Sequence, residues 1–196
     1  MTAEPETSLS DGVVTLRPWR PADAPAVFDA CQDPLIARFV PIPQPYELSN
    51  AVAFVERHGE ARFDAEEVGF AIVDPATGKL LGAIARHGPF GHRAQFGYWL
   101  APSARGRGVA TRALRLIVDW TIATTELIRL ELYTDVANDA SGRVAERAGF
   151  EREGVRRAWD LDREGRPLDA MFYVRLRELS SLTSRGGASP PRGRRP

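Results

Sequence analysis

Two glycines one residue apart, Gly106 and Gly108, lie between the stretch Tyr98-Trp99-Leu100-Ala101-Pro102 and a segment with apolar residues at Ala110, Ala113, Leu114, Ile117 and Val118. The second spacing is one face of a helix, so the arrangement reads as a strand, a tight turn and a helix start. Such a turn gathers backbone N–H groups and the positive end of a helix dipole at one point. Glycines let the main chain approach an anion closely because they lack a Cβ. Arg105 and Arg107 add positive charge in the same turn. The chemistry this suits is the grip of a pyrophosphate, and hence of a phosphorylated cofactor.

The elements that must position this turn follow from periodicity and punctuation. Residues 13–17 read as a strand and Pro21 to Cys31 as a helix. Prolines at 34, 41, 43 and 45 break the next stretch into a loop or a short helical turn. Residues 48–61 read as a helix capped by Ser49 or Asn50. Strands over 68–73 and 80–86 are joined by the turn Asp74-Pro75-Ala76-Thr77-Gly78, and a third strand covers 94–100. After the helix over 109–124, Ile128, Leu130 and Leu132 alternate with Arg129, Glu131 and Tyr133, which predicts a strand with one solvent face. A helix over 138–148 has Asn138 or Asp139 as its cap and Gly149 as its stop. A last hairpin pairs 154–161 with 170–176, turning at 162–165. The fold class is α+β.

The 196 residues suit one domain over 11–179, with a flexible leader over 1–10 and a disordered basic tail over 180–196. No apolar run approaches the roughly 20 residues needed to span a bilayer, and the acidic start Met1-Thr2-Ala3-Glu4 is unlike a secretory signal. The expectation is a cytoplasmic protein without a membrane partner. Lys and Arg total 26 against 26 Asp and Glu, so no nucleic-acid surface is expected. The single cysteine, Cys31, reads as a buried core thiol and excludes an intrachain disulfide. His58, His87 and His92 show no ligand spacing, so no metal is expected, and each reads as a surface or satisfied histidine. His87, at a strand end, keeps a minor reading near the acceptor.

The run Gly97-Tyr98-Trp99-Leu100-Ala101-Pro102 followed by Arg105-Gly106-Arg107-Gly108-Val109-Ala110 resembles the GCN5-related N-acetyltransferases, whose pyrophosphate loop Arg/Gln-x-x-Gly-x-Gly/Ala is matched by Arg105-x-x-Gly108-x-Ala110. Asn138-x-x-Ser141 and then Ala148-Gly149-Phe150 extend the likeness. Leu16-Arg17-Pro18-Trp19 and Phe39-Val40-Pro41…Pro45-Tyr46 are similar to the branch that acetylates ribosomal-protein N-termini. The resemblance covers residues 13–177. It implies an α/β/α layered fold with a mixed, mostly antiparallel sheet of six to seven strands, splayed at the cofactor and flanked by about four helices. It also implies acetyl-coenzyme A as cofactor and a possible homodimer. The pantetheine arm would run along the backbone of Trp99, Leu100 and Ala101. The pyrophosphate would sit on the amides of Arg105, Gly106, Arg107, Gly108, Val109, Ala110 and Thr111. Asn138 and Ser141 would face the thiol end, and Arg143 or Arg147 the nucleotide phosphates.

The reaction so implied is direct attack of a primary amine on a thioester, with a backbone N–H near Leu100 polarising the carbonyl. Many relatives carry a tyrosine acid four positions beyond the serine; here that position is Ala145, which leaves Ser141 as the acid. A helix-capping role is the alternative for both Asn138 and Ser141. Relatives often place a glutamate base where this chain has Gln95, so the base is Glu131, or more weakly Asp135 or Asp169, or water. Surface charge is the competing reading of Glu131. Without a strong base, α-amines (pKa about 8) are favoured over lysine amines (about 10.4). The favoured acceptor is a protein N-terminus; a small amine or aminoglycoside, or a non-catalytic acyl-coenzyme A sensor, are the alternatives. Phe39, Tyr46, Gln95 and Trp159 would line the acceptor side, with core packing the competing account of the aromatics. The spacing Gly106-x-Gly108 also opens a dinucleotide fingerprint, but Thr111 stands where its third glycine belongs.

Overall fold

A computed structural model describes residues 8–59 and 67–178. Its strands are β1 (Leu9–Ser10), β2 (Thr15–Arg17), β3 (Glu67–Val73), β4 (Leu80–Phe90), β5 (Arg93–Leu100), β6 (Arg129–Asp135), β7 (Glu151–Leu161) and β8 (Pro167–Leu176). They form one eight-stranded sheet in the order β1-β2-β3-β4-β5-β6-β8-β7. The helices are α1 (Ala24–Cys31), α2 (Pro34–Phe39), α3 (Leu48–Gly59), α4 (Val109–Thr124) and α5 (Asp139–Arg147). The α+β layout agrees with the sequence reading, and its counts exceed that reading by small elements. Leu9 and Ser10, assigned by sequence to a loose leader, pair with Leu16 and Thr15. The proline-broken stretch contains a true helix because Asp33 accepts from the N–H groups of Leu35 and Ile36 while Pro34 fills the first helical position. Residues 1–7, 60–61 and 180–196, assigned to the leader, a helix end and the tail, lie outside the described residues.

Alternation along the central strands sends side chains to two cores. Val68, Phe70 and Ile72 pack with Leu114, Ile117 and Val118 of α4, whereas Ala71, Val73 and Trp99 pack with Val27 of α1 and Val55 of α3. The sheet is therefore covered on both faces.

One pairing matters most for function. Every adjacent pair is antiparallel except β5 and β6, which run parallel and touch in register only at Arg93–Arg129, Ala94–Leu130 and Gln95–Glu131. Beyond Gln95, β5 stays with β4 as far as Leu100, and β6 stays with β8 as far as Asp135. The sheet thus splits into a V whose vertex is at Gln95–Glu131. A doubly wound dinucleotide fold requires a largely parallel sheet, and this topology excludes it. Among the described residues no helix is long and apolar enough to cross a membrane.

Candidate functional site

The strand–turn–helix expected around the paired glycines is present. β5 ends at Leu100, Pro102–Ala104 form a 3-10 turn, and Gly106 and Gly108 both take left-handed backbone angles (φ 72° and 75°) before α4 begins. Gly108 is the N-cap and makes no side-chain cap bond. The first N–H groups of α4, at Val109, Ala110 and Thr111, thus have neither an intrahelical acceptor nor a capping side chain. Arg105 does something the sequence did not reveal. Its guanidinium bonds Asp33 at 2.7 Å and the Leu100 carbonyl at 3.1 Å, bracing the turn against the start of α2, and its backbone N–H goes to Pro102. The charge of Arg105 is matched by Asp33; Arg107 stays exposed. The nest is consequently built from amides more than from side-chain cations.

On the α4–α5 side of the V, the Ser141 hydroxyl lies 2.9 Å from that of Tyr98. Burial pushes the Tyr98 phenol up to about 12, so it stays protonated at neutral pH. Four residues along the helix from Ser141, where the sequence lacks a tyrosine, stands the fully buried Ala145. The tyrosine that meets Ser141 comes from β5, 43 positions away. Asn138 caps α5, its side-chain oxygen accepting from the Ser141 N–H at 3.2 Å. Asn138, Gly142, Arg143 and Tyr173 line an open cleft on this side.

Register on the opposite face brings together residues that the sequence kept apart. Glu67 pairs with His87, His87 with Gln95, and Gln95 with Glu131. Directly paired residues share a face, so these four form one polar row across β3, β4, β5 and β6. His87 Nδ1 is 3.3 Å from Glu67 Oε1, and His58 Nε2 reaches the same oxygen at 3.1 Å. Burial would raise Glu67, but His87, His58 and Arg57 outweigh it and hold the carboxyl below its usual range. Burial lowers His87, with Glu67 opposing. Glu131 is only 2% exposed, which corrects its reading as a surface charge. Its oxygens are engaged by Arg93 at 3.1 Å and by Arg129, which in turn bonds Glu153 of β7. Sequence alternation failed here because paired arginines let a carboxylate lie inside.

The expected acceptor wall is partly dispersed. Tyr46 is buried against α1 and shares a hydrogen bond with Cys31, whose thiol burial pushes up to about 11; it belongs to the core. Trp159 is 43% exposed on β7 and meets Phe172 and Tyr133 edge-on at 5.0 and 5.9 Å. Arg156 lies over Phe172 and Trp159. Phe39 is half-buried at the end of α2. Arg163, at the hairpin tip, donates to the carbonyls of Ala37 and Ile42. The hairpin tip is thus tied to the end of α2 and the residues that follow it. His58 is satisfied by Phe54 and Glu67, and His92 is exposed.

Comparison with known proteins agrees with this geometry. The family model described as acetyltransferase (GNAT) domain matches residues 14–151. A 102-residue stretch is 33% identical to the Bacillus subtilis protein "Putative ribosomal N-acetyltransferase YdaF", covering 51% of this chain and 55% of that one. The chain so spans about half the length of the curated relatives it first matches. Two solved structures share the fold at 20% identity and TM-score 0.75. The ribosomal-protein-S5-alanine acetyltransferase of Vibrio fischeri is matched over 87% of this chain and 97% of that one. A ribosomal L7/L12 α-N-protein acetyltransferase in complex with coenzyme A is matched over 84% and 94%.

Proposed function

Since the chain belongs to the acetyltransferase (GNAT) domain family, we propose that it transfers acetyl from acetyl-coenzyme A to a protein N-terminal α-amine. The observation that carries this reading is the V itself, with the amide nest at its mouth. From Phe96 to Leu100, β5 has no strand on its β6 side among the described residues, so its backbone groups there can pair with an extended ligand arm instead. A chain of amides and carbonyls such as pantetheine fits that need, and the uncapped start of α4 fits a pyrophosphate. Coenzyme A joins the two in one molecule. When bound, acetyl-coenzyme A would supply an activated acyl group.

The chain's own residues would then do three things. Backbone N–H groups of β5 beyond the vertex would polarise the thioester carbonyl without using a side chain. Ser141 would give a proton to the departing sulfur, and Tyr98, kept protonated behind it, would hold the serine in line and replace that proton. The end of α2 with the residues that follow it, the hairpin tip and Trp159 would confine the acceptor to the opposite face. The preference for an N-terminal α-amine is supported by Gln95, which cannot accept a proton where relatives carry glutamate, and by the names of the ribosomal-protein relatives.

A thiol-release assay with acetyl-coenzyme A tests this against peptides with free Ala or Ser N-termini, spermidine and an aminoglycoside. The expected result is turnover with the α-amine peptides at kcat/KM at least tenfold above the other amines. Turnover confined to the small amines would make the protein a small-molecule acetyltransferase. Tight cofactor binding with no turnover on any amine would make it a sensor.

A further inference from the structure

We propose that His87 Nε2 is the base that takes the proton from the incoming amine, with Glu67 as the residue that positions it. This rests on the acetyltransferase reading and names a group which that reading leaves unassigned. Four observations place His87 for the task. It lies in the polar row next to Gln95, one position from the vertex of the V. Its Nε2 edge lies over Gly97, 3.5 Å from where a Cβ would stand, so the absence of a side chain at Gly97 leaves the ring open toward the gap between β5 and β6. Its other nitrogen, Nδ1, faces Glu67 at 3.3 Å, which fixes the tautomer and leaves Nε2 as the acceptor. Finally, β4 loses register with β5 directly after His87; irregularities of this kind re-aim side chains beside active sites.

The other members of the row are unsuited. Gln95 has no proton-accepting group at neutral pH, Glu131 is committed to Arg93 and Arg129, and Glu67 faces His87 and His58. The side chain of His87 is 41% exposed, so an acceptor can reach it. The charged and titratable groups facing it are Glu67 from β3 and His58 and Arg57 from α3. Burial favours the neutral ring, the form that can accept a proton at pH 7.

The proton balance is closed. The acceptor arrives as an ammonium and gives one proton to His87 Nε2, which releases it to solvent. The nitrogen–carbon bond forms as the carbon–sulfur bond breaks; the second nitrogen proton also leaves to solvent, and solvent returns one through Tyr98 to Ser141, whose own proton has gone to sulfur. The products are the amide, the free thiol and one proton.

The test compares wild type, His87→Gln, His87→Ala and Glu67→Gln, using acetyl-coenzyme A, an Ala-initiated peptide, calorimetry for cofactor binding and a pH profile of kcat/KM. His87→Gln should bind the cofactor as wild type does and lose about 10²-fold or more in kcat/KM at pH 7. That deficit should shrink above about pH 8, where the α-amine is neutral without help. Added imidazole should restore part of the rate in His87→Ala, a readout that a purely structural role would not give. Glu67→Gln should move the ascending limb of the profile and lower kcat more than it changes the KM for peptide. Wild-type binding and turnover with an unchanged pH profile in both His87 variants would overturn the assignment alone. A wild-type protein that neither binds acetyl-coenzyme A nor releases thiol would overturn the assignment and the reading beneath it.

Discussion

Placing alanine at position 142 tests how α5 seats on β8, and with it the placement of Ser141. A Cβ there would stand 2.4 Å from the Tyr173 hydroxyl and 3.3 Å from its Cζ. Tyr173 is 6% exposed and its ring packs in the α4–α5 core, so admitting a methyl group means displacing a packed ring. Two terms compete. Glycine to alanine in an unobstructed helix interior gains about 1 kcal/mol, while overpacking a core costs about 1–3 kcal/mol. In the wild-type background the clash should win, and Gly142→Ala should destabilise by up to about 2 kcal/mol. Tyr173→Phe removes the atom at 2.4 Å and leaves the 3.3 Å contact as the nearest. There the substitution should be neutral or stabilise by up to about 1 kcal/mol. The sign therefore reverses between backgrounds, a coupling above the roughly 0.5 kcal/mol within which independent sites add. Urea unfolding of the four proteins, compared at a common m-value, measures it. A stabilising Gly142→Ala in wild type, or an equal effect in both backgrounds, would refute the close approach of helix and strand.

Other perturbations separate chemistry from architecture. Ser141→Ala should cost about 1 kcal/mol through the lost bond to half-buried Tyr98 and about 10²-fold in kcat for thiol release; an unchanged steady-state kcat would show that this hydroxyl moves no proton. Glu131→Gln should destabilise by about 2 kcal/mol because it leaves Arg93 and Arg129 with a weaker partner, while the folded fraction keeps turning over. Full stability with no turnover would return the base to Glu131. Asp33→Ala should cost about 1 kcal/mol at pH 7 as α2 loses its cap. Arg105, and then the capped N–H groups, hold Asp33 below its ordinary value, so the unfolded chain binds the proton more readily. The contribution of Asp33 is then complete above about pH 4 and fades as pH falls through the folded-state value. Denaturation of wild type and Asp33→Ala at pH 7 and pH 3 should show the gap narrowing, and a constant gap would argue against the ion pair.

The local elements were legible because their causes are local. The span of α4 follows from one apolar face behind Gly108, and α5 from Asn138 at one end and Gly149 at the other. The amide nest was legible for the same reason, since two glycines and a helix start are adjacent in the chain. Contiguous residues cannot show which strands become neighbours, and there the reading lost its grip. Glu131 reads from sequence as a base or a surface charge because alternation carries no information about arginines on β5 and on its own strand that make a buried carboxylate tolerable. Tyr46 was assigned to an acceptor wall because its helical neighbours are 15 residues upstream, at Cys31. Tyr98 went unpaired with Ser141, and His87 was set among scattered histidines. Sequence by itself determined the elements and the phosphate-sized turn, because hydrogen bonding and periodicity within a segment fix those. Only the tertiary structure decided the polar row, the Tyr98–Ser141 pair and the open V, because strand order and register choose which distant side chains share a face.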